Sequence, residues 1–406
     1  MLKTLQIVYR LIMYRKFLAT SLLFPFALGG ATTAFADAWV LEPSIKFDIG
    51  YDDNNGMDVT DPQRVGVTKV TGELMLRRLS ETHYFRGGLL ADAVAYSGDE
   101  SIDPNSNQVA YFSTTFKRPR SSWGANFRYR RDSLLREAVA NSDEIIQVEE
   151  NQDASVDQFL DVTRQRLYLK PFYNYNLTRL MSFGMDYQLS TVDHDKGESE
   201  AVDVQDYTNQ GVNFRLDKQI TPLDKVIGTV GHSFYTTDVD TNETEYRTNY
   251  LRLGYERSLS PTFTVGGDIG YRVTEFNESQ EDIKKDGPIG SVSAVKTTGL
   301  TKFELRAGLE LYPSSIGQVV QTQELVGNVT RNLSELMVFS LQSRFYQNTA
   351  LSGNDTVFIA GENATADNDR RSMTIRPEFR WQVAREWVVG AAYAYRREKL
   401  ESKPAP

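Results

Sequence analysis

The chain contains no cysteine, which rules out a disulfide framework, a thiolate metal site and a cysteine nucleophile. Its three histidines, His83, His194 and His232, lie far apart, so no His-rich metal spacing and no Ser/His/Asp arrangement on neighbouring segments can be drawn. After Leu28 no apolar run approaches the roughly twenty residues that a membrane-spanning helix needs. A mean hydropathy of -0.43 agrees with that lack. There is no Gly-rich loop placed between a strand and a helix to hold phosphate. Basic residues are not gathered with aromatics into a nucleic-acid patch, so no nucleic-acid partner is expected. These absences argue against an enzyme, and neither a cofactor nor a metal site is expected.

What the chain does have is alternation. From Lys302 to Tyr312, Phe303, Leu305, Ala307, Leu309 and Leu311 take one face, while Lys302, Glu304, Arg306 and Glu310 take the other. Met373, Ile375, Pro377, Phe379, Trp381 and Val383 alternate in the same way with Thr374, Arg376, Glu378, Arg380 and Gln382. Side chains on a strand point to opposite faces with period two, so such a strand offers one face to an apolar phase and one to water. About seventeen such stretches follow one another, with no competing helical period.

The connections between them are alternately tight and long. Tight ones include Arg118-Pro119-Arg120-Ser121, Leu259-Ser260-Pro261, Thr298-Gly299-Leu300 and Asn332-Leu333-Ser334. Longer polar stretches fall near 52–65, 98–106, 135–160, 192–206, 238–245, 276–288 and 350–370, and only Pro313 to Gly317 is short where a long one is due. Short turns at one end and long loops at the other are the habit of outer-membrane barrels. The expected fold is therefore all-β: an antiparallel transmembrane β-barrel of 16–18 strands, in one domain over 37–406, in a bacterial outer membrane. Seventeen strands by this reading leave the last one at Trp387 to Arg396. A barrel entered from the periplasm takes an even number, so a closing C-terminal strand is expected to be missing.

The first 36 residues read as a secretory signal peptide. Arg15 and Lys16 precede the apolar run Phe17 to Leu28, and Ala34-Phe35-Ala36 supplies small residues for cleavage between Ala36 and Asp37. Met13 is an alternative initiator.

The net charge of -9 is unevenly spread. The long loops hold most of the acids, among them Asp143, Glu144, Glu149, Glu150 and Asp153, which form a solvated face or a site for divalent cations bridging to lipopolysaccharide. The water-facing strand positions lean basic. Arg128, Arg130, Arg164, Arg166, Lys170, Arg215, Arg252, Arg272, Arg306, Arg344, Arg376 and Arg380 are candidate pore-lining residues, set against acids such as Glu73, Asp186, Asp217, Glu256, Asp268, Glu304, Glu310 and Glu378. Those arginines either pair with carboxylates across strands or supply a positive field that favours anionic solutes. Asp193-His194-Asp195 could suggest His/Asp chemistry, but it falls in an expected loop rich in acids.

Tyr173, Tyr175, Trp381, Trp387, Tyr393 and Tyr395 fall on outward faces and suit interfacial girdles. Tyr168, Phe172, Tyr250, Tyr312 and Tyr346 fall inward, where rings fill space or stack on sugars.

Trp39-Val40-Leu41-Glu42-Pro43-Ser44, followed by Tyr51-Asp52-Asp53-Asn54, resembles the opening of the EpsL-like group of β-barrel porins encoded with exopolysaccharide-biosynthesis genes. That resemblance implies a role in export or assembly of a polysaccharide, anionic if the arginines guide it, with periplasmic or lipoprotein export components as partners beside outer-membrane lipid. It carries over no functional residues, and a periplasmic domain of the kind seen in some polysaccharide exporters is not expected before the barrel. A general or anion-selective porin for small solutes, and a structural or adhesive surface barrel with a plugged lumen, remain the alternatives.

Overall fold

In a computed structural model of the chain, residues 4–14, 39–52, 64–97, 105–133, 163–195, 206–238, 244–278, 281–313, 319–350, 369–384 and 387–401 are described. The strands are β1 Thr4–Tyr14, β2 Trp39–Asp52, β3 Val65–Leu79, β4 His83–Ser97, β5 Asn105–Lys117 and β6 Ser121–Ser133. They continue with β7 Thr163–Asn176, β8 Met181–Asp195, β9 Asp206–Gln219, β10 Asp224–Asp238, β11 Thr244–Ser260 and β12 Phe263–Glu278. The last six are β13 Glu281–Thr298, β14 Thr301–Pro313, β15 Val319–Asn332, β16 Met337–Ala350, β17 Asp369–Ala384 and β18 Trp387–Glu401.

Each strand pairs antiparallel with its neighbours in sequence, and β1 pairs with both β18 and β2, so the sheet closes on itself. Carrying one residue's partner from strand to strand round the wall returns to β1 displaced by about 22 residues. With eighteen strands that stagger fixes a tilt of about 40° and a backbone radius of about 17–18 Å. A cylinder this wide cannot be filled by the side chains of its own wall.

The two faces separate cleanly. Ile45, Ile49, Leu89, Leu251, Leu253, Ile269, Val292, Leu305 and Leu325 are exposed, and register partners such as Leu251 and Tyr271 share their side. That side is the outside, because the opposite side carries contacts that span several strands. Arg252 on β11 reaches Glu310 on β14, which is possible only across a concave wall. Ile269 is 72% exposed and Leu253 60%, values that make sense only against lipid. At the tight end, Trp39 packs edge-on to Phe85 at 5.5 Å with the Arg78 guanidinium 5.3 Å above its ring, an aromatic anchor at headgroup level.

The tight turns are closed by backbone bonds, as from Arg118 N to Ser121 O at 2.7 Å. Gly299 has φ of +54°, in the left-handed region that other residues adopt with difficulty.

Three expectations differ from the structure. First, beside the seventeen strands expected, which run from Trp39 to Glu401, the described residues hold an eighteenth, Thr4–Tyr14, within the first 36 residues. Leu5, Ile7, Tyr9, Leu11 and Met13 alternate as a strand does, and the register sets them beside Tyr395, Tyr393, Ala391, Val389 and Trp387. They fill the position where the sequence reading left a closing strand missing. Second, the expected long loop 276–288 is mostly strand, because β12 and β13 stay paired from Phe263↔Lys296 to Glu278↔Glu281. Above Gly290, β13 no longer pairs with β14, and that unpaired edge carries Lys284, Lys285, Gly287 and Pro288, residues that discourage further strand pairing. Third, Asp193-His194-Asp195 ends a strand rather than lying in a loop. The long loops, the connection at Pro313 to Gly317 and the expected cleavage point Ala36–Asp37 fall wholly or largely outside the described residues.

An arginine placed on the outward face meets hydrocarbon, so Ile269→Arg should lower folding stability in lipid vesicles by about 2–4 kcal/mol. Thr229→Arg, on the opposite face, should cost under about 1 kcal/mol. Urea titration of the vesicle-inserted protein, read by tryptophan fluorescence, measures both.

Candidate functional site

All twelve candidate pore-lining residues fall on the concave face: Arg128 and Arg130 on β6; Arg164, Arg166 and Lys170 on β7; Arg215 on β9; Arg252 on β11; Arg272 on β12; Arg306 on β14; Arg344 on β16; Arg376 and Arg380 on β17. The surroundings of all but Arg128 divide them into three kinds.

The first kind converges on shared carboxylates. Arg130 Nε, Arg164 Nε and Arg166 Nη2 lie 2.7, 3.1 and 3.1 Å from Asp132, and Arg164 is 1% exposed. Arg376 and Arg380 both face Glu378, at 3.7 and 3.4 Å. Burying a guanidinium forfeits hydration, and the Asp132 carboxylate, which all three arginines face, offsets part of that loss.

The second kind forms a polar network running round the wall from β7 to β14. Lys170 approaches Asp186 at 3.7 Å, and Asn213 donates to the same carboxylate at 3.0 Å. The Tyr250 hydroxyl donates to Asn213 Oδ1, and the Arg252 guanidinium lies 5.1 Å from the Tyr250 ring centre. Arg252 in turn makes a two-pronged bond to Glu310, Nη1 to Oε1 at 2.7 Å, and stands 3.6 Å from Asp268, which accepts from Ser291 at 2.7 Å. Gly270 lies beneath Arg252: a Cβ there would stand 2.3 Å from the Leu251 carbonyl oxygen and 2.7 Å from Arg252 Cγ, so only glycine fits under this close approach of the two strands. Arg344 is held by Glu324 at 3.0 Å, with its guanidinium 5.5 Å from the Tyr346 ring, and Arg215 by Asp217 at 2.7 Å.

The third kind bonds no carboxylate directly among the described residues. Arg272, 3% exposed, donates to Thr274 Oγ1 at 3.4 Å and Gln321 Oε1 at 3.2 Å, both neutral. Arg306 is exposed on the lumen side and makes no hydrogen bond or ion pair among the described residues.

Sequence reasoning missed several inward acids that complete these pairs: Asp132, Glu324, Asp92, which takes Lys69 at 2.8 Å, and Glu42, which takes Arg77. Their alternation parity was the available signal. It also missed a buried tyrosine ladder across β9, β10 and β11, where Tyr207, Tyr235 and Tyr246 follow at 5.3 and 5.2 Å. His194 bonds Asp206 at 3.1 Å, and among the described residues no group of three or more His, Cys, Asp or Glu could hold a metal ion.

Asp132→Asn should destabilise the barrel by about 3–5 kcal/mol, since it leaves Arg130, Arg164 and Arg166 without the carboxylate they share. A smaller loss in urea unfolding, near that of a surface change, would show that the cluster does not need it.

No protein-family model matches the chain, and no curated protein matches it. Among solved structures it is similar to the ferric-catecholate import receptor Fiu of E. coli K12, with TM-score 0.43 and 8% identity over 87% of this chain and 70% of that one. It is also similar to OccK9 of Pseudomonas aeruginosa, with TM-score 0.35 and 9% identity over 98% of each chain. The anion-selective porin of Comamonas acidovorans gives TM-score 0.30 and 12% identity, again over 98% of each. At such low similarity these likenesses carry no statement about residues or solutes. Strand closure, an apolar outside and a charged inside define the chain as a transmembrane β-barrel of the outer-membrane type.

Proposed function

We propose that this barrel is an outer-membrane channel whose lumen passes water-soluble solutes and favours anions. The observation that carries the reading is the concave face itself. Basic side chains outnumber acidic ones on it, in a cylinder too wide to be filled by its own wall. Fixed positive charge along a water-filled passage lowers the electrostatic barrier for anions and raises it for cations. Arg306, exposed and without an ion pair among the described residues, contributes to that field most directly. In planar bilayers the purified protein should conduct with chloride more permeant than potassium. Arg376→Glu combined with Arg380→Glu should lower the permeability ratio roughly twofold or more, read from the reversal potential in a salt gradient. A ratio unmoved by that double charge reversal would remove the lumen from the account.

A finer reading of the same channel is export or assembly of an anionic exopolysaccharide, with periplasmic or lipoprotein components as partners. It is supported by two lumenal tyrosines, Tyr250 and Tyr346, each beside a guanidinium, a pairing suited to acidic sugar rings. The residues that carry the resemblance have structural work of their own: Trp39 belongs to the outer girdle and Glu42 pairs with Arg77. Deleting the gene should reduce polymer at the cell surface, and adding the cognate polymer to bilayers should block the open channel. Normal surface polymer together with unblocked channels leaves the small-solute porin.

A further inference from the structure

The lumen wall between β9 and β13 contains a recess of about 430 Å³, within the range of small-molecule sites. Its floor is Gly254, Gly266, Ser291 and Ser293, residues too small to fill the space above them, and its sides include Tyr250 and Arg215. The charged groups around it are already offset: Arg252 by Glu310 and Asp268, Arg215 by Asp217, and Lys225 by Glu256 at 3.3 Å. The recess therefore offers donors and acceptors with little net field. One cation at its edge is different. Arg306 is the register partner of Ser293 in the floor, is exposed, and makes no ion pair among the described residues, since Glu304, two positions along the same face, is engaged by Lys302 at 2.7 Å.

We infer that this recess binds a monoanionic sugar acid of the hexuronate class. The single carboxylate goes to Arg306, the ring lies near Tyr250, and the hydroxyls bond among Arg215, Asp268, Ser291 and Ser293. A polyanion such as inorganic phosphate would meet Glu256, Asp268 and Glu310 as well, and is disfavoured by their charge. A neutral sugar would leave Arg306 unused, and a small carboxylate such as acetate would leave the hydroxyl partners unused. The inference rests on the channel reading for access to the lumen, and goes beyond it by naming the class of solute.

The test is saturation-transfer NMR of the full barrel in detergent with D-glucuronate, D-glucose or acetate, beside bilayer conductance of the same preparation. Glucuronate should bind about tenfold or more tightly than either comparison compound. Arg306→Gln should reduce its affinity to that of glucose. Ser293→Trp, which fills the floor, should abolish binding of both sugars. Folding of each variant is checked by heat-modifiable gel mobility, and should Arg306→Gln fail to fold, the tryptophan variant and the three-compound comparison decide alone. Equal binding of glucuronate and glucose, or of glucuronate and acetate, overturns the proposal, as does a folded Arg306→Gln that binds glucuronate unchanged. A barrel that conducts but shows no preference for glucuronate sinks this inference and leaves the channel. One that binds glucuronate selectively yet conducts nothing sinks the channel and leaves the recess.

Discussion

Hydrocarbon offers no partner to a peptide N–H or C=O, and this chain answers that constraint by closing its sheet. Every strand from β1 to β18 has a neighbour on both sides, so among the described residues unpaired ladder edges lie only near the ends of the wall. Closure then dictates the rest. A strand bonded on both sides cannot rotate about its own axis, and a one-residue slip would turn its arginines into lipid. Register and face are thus a single decision, taken jointly by eighteen strands, and the apolar outside and charged inside are two readings of it.

The interior solves a second problem by the same geometry. Lysine and arginine on a concave wall point towards one another, and crowding of like charge is relieved by carboxylates inserted at matching parity. Asp132 among three arginines and Glu378 between two show the pattern within and across strands. Arg252 goes further by lying flat over Gly270 to reach a carboxylate three strands away. That sideways reach, with the glycines and serines beneath it, leaves the wall thin there and accounts for the recess.

The fold was legible because alternation survives any error in loop length: the rows Phe303 to Leu309 and Met373 to Val383 face outward as their period requires. Connections were less legible. Composition marked 276–288 as a loop, because Asp, Lys, Gly and Pro are poor strand formers, yet pairing with β12 overrides propensity there. Thr4–Tyr14 is ambiguous for a physical reason, since an apolar stretch with interspersed polar residues serves equally as the front of a leader or as a strand beside β18 and β2. In the lumen the arginines could be found one by one from parity. What each touches could not, because a partner three strands away is set by register and tilt, quantities that no single window contains.

The net charge of -9 and the proposed preference of the lumen for anions are compatible because charge acts over short distances in salt. The Debye length is about 8 Å at physiological ionic strength, comparable with the bore left after side chains extend inward from a radius of about 17–18 Å. A charge more than a Debye length away is largely screened from a solute in the lumen, whereas guanidinium groups on the wall are not. The same screening weakens the field near the axis. Selectivity in so wide a cylinder is therefore a property of the wall, felt by solutes that travel along it. A chain that must discriminate has reason to hold them there, by a cavity in the wall with one exposed cation at its edge.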